Sequence, residues 1–435
     1  MNRYLDIRSY LDRLTFVFRA LESRNFRMFF FANLFSLLGT WMQNLAIGWL
    51  VYRLTDSAAF LGLTGFMGQI PALLLTPVAG VYADRMNRRK ALVITQTIPM
   101  LLAFLLAILL YTDKISVGMV LGIVLVNGFA LAFDTPFRHA FLLEMVGDKK
   151  LIPNAVALNS TLVNTARFIG PTLGGLLVAL YGEGFCFLVN GISFLGVITA
   201  LMMMKVPPFV AQHRQRTIMQ DLREGFDYTW RFVPARYMIL LVITTSLFGL
   251  PFQGFLPVFA RDILHGGSQL LGFLTGAVGA GALTGAFYLA SRQSMRPLPR
   301  IIGISALSFA IGLGIFSQSE ITWFSLTILY FSGFGMITQF VATNTILQTL
   351  VEDDKKGRVL SFYSMSFMGF TPLGSLLLGA VAEYAGVQTT FLLAALILLM
   401  AALLYRKQLQ GMESVLFGSG NQPTTATAST STSRP

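Results

Sequence analysis

Gly80-Val81-Tyr82-Ala83-Asp84-Arg85-Met86-Asn87-Arg88-Arg89-Lys90 is the stretch on which the fold turns. An apolar run arrives at Gly80, one acid and four cations follow, and a second apolar run departs at Ala91. So short a basic turn between two long apolar runs predicts a hairpin of membrane-spanning helices. Ala72, Thr76, Gly80 and Asp84 recur every fourth residue and share one helix face. Small residues on that face are expected to let a neighbouring helix approach closely, with Asp84 at its edge.

Working outward, further runs long enough to span appear at 26–52, 59–83, 91–112, 115–138, 154–181 and 184–205. A polar stretch, 206–235, follows, and six more runs lie at 236–261, 268–291, 298–317, 322–346, 358–382 and 387–405. The composition agrees: 54% of the 435 residues are hydrophobic and 12% charged, against roughly 25% charged in soluble domains. The reading is an all-α integral membrane protein with twelve transmembrane helices in two pseudo-symmetric six-helix bundles. Its parts are an amphipathic N-terminal segment (1–25), a first bundle (26–205), a linker (206–235), a second bundle (236–406) and a disordered tail (407–435).

With both termini cytoplasmic, all but four of the 32 Lys and Arg fall on the cytoplasmic side; Arg53, Lys114 and Arg261 lie outside, and Arg167 lies within a span. The net charge of +12 is therefore read as topology anchoring, with no nucleic-acid partner. Cys186 is the single cysteine, and His139, His213 and His265 are far apart, so no metal or cofactor is expected. Neither a nucleophile–base pair nor a phosphate-binding Gly-Lys-Ser/Thr loop is present, which argues against an enzyme and against ATP-driven transport. The halves repeat: Trp41-Met42-Gln43 answers to Pro251-Phe252-Gln253, and Leu61-Gly62-Leu63-Thr64-Gly65 to Leu271-Gly272-Phe273-Leu274-Thr275-Gly276. Parallel six-helix repeats suit a rocking secondary transporter.

The turn Gly80-x-x-x-Asp84-Arg85-x-Asn87-Arg88-Arg89 resembles the signature loop of the major facilitator superfamily, with Asn87 where that family has Gly. Asn tolerates the left-handed backbone that Gly favours, so the exchange is mild. Asn154-Ala155-Val156-Ala157-Leu158-Asn159-Ser160 and Gly357-Arg358-Val359-Leu360-Ser361 are similar to the exporter branch typified by enterobactin exporters and macrolide-efflux proteins. The resemblance implies a cytoplasmic gate from Gly80, Asp84, Arg85, Arg88 and Arg89, joined by Asp134 and Arg138 at the end of the fourth helix. In the second half Ser291 stands where Asp84 does, so the gate is expected to be one-sided. Arg167-Phe168-Ile169-Gly170-Pro171-Thr172-Leu173-Gly174-Gly175 resembles the superfamily's antiporter motif, which implies a seal that favours export. Ordinary small-residue packing explains the same Gly170, Pro171, Gly174 and Gly175 pattern.

Arg167 is the one cation deep in a span. It either holds an anionic cargo group, or pairs with a proton-carrying carboxylate, or bonds helix backbones or amides such as Asn164 or Asn44. Trp41, Gln43, Asn44, Asn164, Arg167, Phe252, Gln253, Gln339 and Asn344 are the candidate cavity residues. No Asp or Glu falls near the middle of a predicted span, so coupling would run through Asp134, an edge acid, or the substrate itself. The expected function is secondary export of small amphipathic molecules, siderophore or drug-like, by alternating access with proton antiport. The protein is expected to be a monomer, multi-pass in the inner (cytoplasmic) membrane. A lysophospholipid flippase and a non-transporting membrane sensor are the alternatives.

Overall fold

The computed structural model describes residues 18–206, 229–292, 294–351 and 353–417. Among them, twelve helices are long and apolar enough to cross a membrane. α1 (Arg24–Thr55), α2 (Ala58–Arg85), α3 (Arg88–Tyr111), α4 (Val117–Val146), α5 (Ile152–Tyr181) and α6 (Glu183–Met203) form the first bundle. α7 (Val233–Ile263), α8 (Ser268–Ala290), α9 (Leu298–Ser317), α10 (Thr322–Leu350), α11 (Asp353–Ala385) and α12 (Val387–Lys407) form the second. The expected architecture is therefore present.

Local chemistry sets the turns. Asp56 ends α1 in the left-handed region, φ 47°, and Ser57 caps α2 by accepting from the Phe60 N–H. Gly147, at φ 80°, ends α4, a conformation open to a residue without Cβ. Asn87 does not adopt the left-handed backbone expected of a Gly replacement. It is extended, φ −63° and ψ 105°, and its side chain caps α3 by accepting from the Lys90 N–H at 3.0 Å. A good N-cap stabilises a helix by about 1 kcal/mol, which is the physical reason Asn suits this turn.

Within the first bundle α1 packs on α5 and α6, α2 on α4, and α3 on α6; in the second, α10 packs on α8 and α9, and α9 on α12. The bundles meet where α2 lies against α11 and α5 against α8. Those two contacts are equivalents under the sequence repeat. α1 is continuous, but its repeat partner α7 is not. α7 passes from α-helix at Val233–Thr244 through a π turn at Thr245–Gly249, a 3-10 stretch at Leu250–Phe255 and a second π turn at Phe259–Ile263. Pro251 and Pro257 remove two backbone donors in this stretch, and Gly249 and Gly254 loosen it.

The flanking segments differ in part from expectation. Leu409–Phe417, assigned to the disordered tail, is a helix, α13. It docks because Met412 is fully buried and Glu413 accepts two hydrogen bonds from Arg300 at 2.8 and 2.9 Å. The remaining tail residues, 418–435, lie outside the described residues, as do 1–17 of the N-terminal segment and 207–228 of the linker. What is described of the N-terminal segment is a 3-10 turn, Arg19–Glu22, pinned by Ala20 N–H to Asn154 Oδ1 at 2.8 Å.

Candidate functional site

The seam between the bundles is the place where any path through the molecule must run. On α2, Gly62, Leu73 and Gly80 fall within about 20° of one face at 100° per residue. At Gly62 an added Cβ would sit 2.8 Å from the Gly379 Cα of α11, and at Gly369 of α11 one would sit 2.9 Å from Leu73 Cδ1. At Gly80 it would meet no described residue within 4 Å. The seam is thus shut at the Gly62 end and parted at the Gly80 end, about 27 Å further along the helix. The expected close approach at Gly80 is corrected: the tight glycine on this face is Gly62, because the helices diverge before reaching Gly80.

The Gly-Pro-x-x-Gly-Gly stretch of α5 is two-sided. Gly170 and Gly174 face α1, where added Cβ atoms would come 2.6 Å from Trp41 Cβ and 2.9 Å from Met42 Cα. Gly175 faces the other bundle, with Gly272 Cα at 2.8 Å and the Ser268 carbonyl at 2.5 Å from such a Cβ. Two steps toward the parted end, Gly279 would come 2.8 Å from Phe168 Cα. α5 runs unbroken through Pro171, whose carbonyl lies against Gly272.

Polar side chains clasp the shut end. The Tyr52 hydroxyl donates to Asp262, and Arg261 donates to Asp56 at 2.5 Å. Glu383 of α11 accepts from the Ser57 hydroxyl at 2.8 Å and the Ala59 N–H at 3.1 Å, so an acid of one bundle caps a helix of the other. Tyr52, Asp56, Asp262 and Glu383 line a cavity of about 340 Å³. Of the clasp residues, Arg261 alone is marked by the sequence reading, as an outside cation. Their signal was present all the same: Arg53, Lys114 and Arg261, the cations left outside, each lie within three residues of an acid. Arg53 turns inward to Glu183 of its own bundle at 2.8 Å, whereas Arg261 reaches across. Both members of the Arg261–Asp56 pair are exposed, 41% and 68%, and such pairs contribute about 0–1 kcal/mol. Arg261→Gln is therefore expected to move the thermal midpoint of the purified protein little. Tyr52→Phe, which removes a hydrogen bond from the buried Tyr52 to an acid that is itself exposed, is expected to cost about 0.5–1.5 kcal/mol. Thermal unfolding of the two variants compares them, and a larger loss for Arg261→Gln reverses the ranking.

At the other end, here the basic end, the gate candidates divide into two clusters. Arg88 donates to the Ala83 carbonyl at 2.9 Å and to Glu144 at 2.7 Å, and Arg89 donates to the Met202 carbonyl. Arg85 is exposed, and the Asp84 side chain lies outside the described residues. Among the described residues, Asp134 bonds to side chains further along α3 and α4 and not to this turn. It is 4% exposed inside the first bundle, bonded to Thr95 at 2.9 Å, Gln96 at 2.6 Å and Arg138 at 2.5 Å. Arg138 also donates to Asn33 at 2.8 Å. Asp134 was expected at the helix edge; α4 instead runs on to Val146. The acid is therefore buried among the helices of the first bundle, within α4 and not at its end. Glu144, which no motif had marked, is an acid that meets Arg88.

The cavity candidates also separate. Gln43 accepts from Asn190 at 2.8 Å between α1 and α6, and Gln339 donates to Thr245 at 2.8 Å between α10 and α7. Phe252 is fully buried against Phe309, ring centroids 6.0 Å apart. These three belong to bundle interiors, where a paired amide or ring avoids the cost of lone burial. Trp41, Asn44, Asn164, Arg167, Gln253 and Asn344 keep part of their surface accessible. Asn164 donates to the Ser160 carbonyl of its own helix, Gln253 approaches Met336 Sδ at 3.7 Å, and Asn344 accepts from Gln348. Arg167 stacks on Trp41, its guanidinium carbon 5.2 Å from the ring centroid.

Comparison with known proteins places this geometry. A family model described as transmembrane secretion effector matches residues 16–430. The staphyloferrin A transporter of Staphylococcus aureus is 26% identical over 83% of this chain and 91% of its own length. The multidrug efflux pump Tap of Mycolicibacterium fortuitum is 23% identical over 85% and 92%, and macrolide efflux protein A of Streptococcus pyogenes 22% over 85% and 92%. Among solved structures, a bacterial homologue of the human lysosomal transporter Spinster, inward-facing and unoccupied, superposes with a TM-score of 0.70 at 13% identity, covering 90% of this chain and 97% of that one. The nucleoside transporter NupG gives 0.66 at 16% identity, covering 88% and 98%.

Proposed function

We propose, from the premise that this chain belongs to the transmembrane secretion effector family of the major facilitator superfamily, that it exports small amphipathic molecules by alternating access with proton antiport. That it is a multi-pass membrane transporter and not an enzyme follows from the family; direction, coupling and cargo are the proposal. The observation that carries it is the one-sided seam, shut from the clasp to Leu73 and parted at Gly80. If the basic end faces the cytoplasm, as the cation distribution supports, the cleft in this state receives cargo from inside. Rocking about α2–α11 and α5–α8 would then break the clasp and close the basic end around the Gly80–Lys90 turn. The path lies between the bundles of one chain, so a monomer suffices. Relatives named for staphyloferrin A, for multidrug efflux and for macrolide efflux favour siderophore-like or drug-like cargo, and their bacterial sources favour the plasma membrane.

Asp134 is the proposed proton carrier. It is the buried acid held by Thr95, Gln96 and Arg138, and a carboxylate within a span is functional more often than not. The direct test is uptake into inside-out vesicles with an acidic lumen, across a panel of siderophores, macrolides and lysophospholipids. Accumulation of amphipathic cargo that collapses with a protonophore is expected. Movement of lysophospholipids alone would favour a flippase, and movement of nothing in the panel would reject transport of these classes. Orientation is tested separately in a Cys186→Ser background. Asp113→Cys is expected to react with an impermeant maleimide in intact cells, and Asn87→Cys only after permeabilisation; the reverse pattern inverts the topology.

A further inference from the structure

Among the described residues Arg167 is paired with no counter-ion. The helical positions of α5 show where it stands. Ala166, Gly170 and Gly174 form the arc that meets α1, while Phe168, Thr172 and Gly175 form the arc that meets α8 of the other bundle. At 100° per residue Arg167 falls between those arcs, together with Ser160 and Asn164, on the side that borders the cleft. No ion pair or hydrogen bond recorded among the described residues involves its guanidinium, and its Nε is shielded from solvent with no acceptor. Among the described residues no hydrogen bond joins it to Asn164 or Asn44, the amides that sequence reading offered, and the Asn164 amide N–H donates to the Ser160 carbonyl. Trp41 covers the face of the guanidinium plane and leaves its N–H edge free. Gly170 permits this seat, since a Cβ there would lie 2.6 Å from Trp41 Cβ.

A guanidinium stacked on an indole is held in one plane, and its remaining donors point outward within that plane. The ligand that matches is a carboxylate or similar oxyanion taken in bidentate fashion by the two terminal Nη groups. The indole offers an apolar wall beside the head group. We propose that Arg167 and Trp41 form a head-group site that selects cargo bearing an oxyanion next to an apolar body. The proposal rests on the export reading. It adds a substrate class to that reading and does not repeat it.

The test uses two fluorescent probes with one ring system, pyrenebutyrate (anionic) and pyrenebutanol (neutral). Binding is followed by energy transfer from tryptophan in the full-length protein, in phosphatidylcholine nanodiscs. Arg167→Gln is expected to weaken pyrenebutyrate about 10- to 100-fold and pyrenebutanol less than about twofold. Arg167→Lys, which keeps charge without the fork, is expected to fall between. Retained pyrenebutanol binding shows that the variant is folded. Equal loss for both probes, or loss for neither, overturns the site. Wild-type binding of pyrenebutyrate abolished by adding phosphatidylglycerol would assign the site to a lipid head group and overturn it as a cargo site. The export reading is judged apart, by gradient-driven accumulation of pyrenebutanol in wild-type vesicles. If that occurs and the two probes respond alike to Arg167→Gln, export stands and the anion site falls.

Discussion

Gly175→Leu is expected to abolish transport while leaving the protein folded and inserted. At this position α5 and α8 approach so closely that even a single methyl would lie 2.8 Å from Gly272 Cα. Backbone cannot yield as a flexible side chain does, so the added leucyl group must push the two bundles apart at the shut end. Overpacking of this kind costs about 1–3 kcal/mol, here charged only to the state in which the helices touch. That corresponds to roughly a 5- to 150-fold shift between states. The seam joins separately packed bundles, so each bundle keeps its own interior. Gly175→Ala is expected to shift the balance in the same direction by less. Gly272→Leu, its partner across the seam, is expected to match Gly175→Leu. Spin labels at Thr55 and Gln388, on opposite sides of the clasp, read the state: the distance distribution should broaden and lengthen. An unchanged distribution with normal transport would show that the contact plays no part in the cycle. A collapse in the amount of folded protein for Gly175→Leu alone would place the contact in folding, and Gly175→Ala separates the two.

The second large effect is at Asp134. Asp134→Asn keeps the shape, but the amide cannot accept on both sides as the carboxylate does. Thr95 and Gln96 donate to one oxygen and Arg138 to the other, so an NH2 group must face a donor. The partner left unsatisfied costs about 1–3 kcal/mol, enough to lower the thermal midpoint. The functional effect is predicted to be larger and of a different kind. Accumulation against a gradient is expected to fall more than about tenfold, while downhill exchange continues and no longer varies with pH. Asp134→Glu, which keeps a titratable group, is expected to restore some pH dependence even if it packs poorly. Should Asp134→Asn retain a wild-type pH profile, proton coupling runs elsewhere and Asp134 is a structural anchor for Arg138. Because Asp134, Arg138, Asn33, Thr95 and Gln96 form one network, their substitutions are not expected to add.

Much of the molecule was legible before any coordinates. Apolar runs of spanning length are an unambiguous signal, since backbone polar groups in lipid must be satisfied within the helix. The twelve helices therefore lie close to the predicted runs, and the errors are at their ends. The miss at α4 mattered most. Residues 139–146 hold His139 and Glu144 among apolar residues, which stopped the hydropathy reading at Arg138. The helix continues because continuation requires backbone hydrogen bonds and not hydrophobicity. Asp134 thereby stands within the helix and not at its end, and Glu144 comes within reach of Arg88. The division of the cavity candidates was not legible at all. Gln43 and Gln253 occupy equivalent places in the repeat, yet Gln43 is bound within its bundle and Gln253 lies in the broken part of α7. One sequence pattern accommodates both because it records polarity and not the direction a side chain takes.

The turn from Gly80 to Lys90 shows where the two kinds of information separate. The sequence by itself determined that this is a basic hairpin between spanning helices, in a chain of two repeated six-helix halves. Charge and hydropathy act through the bilayer, and the bilayer reads them residue by residue. Which glycines touch was decided only in three dimensions. Gly62, Gly80 and Gly175 are alike in sequence, but two are closed against the opposite bundle and one stands open. A close approach requires two chain segments far apart in sequence to present small residues at the same height. The tilt of one bundle against the other selects which pairs do so.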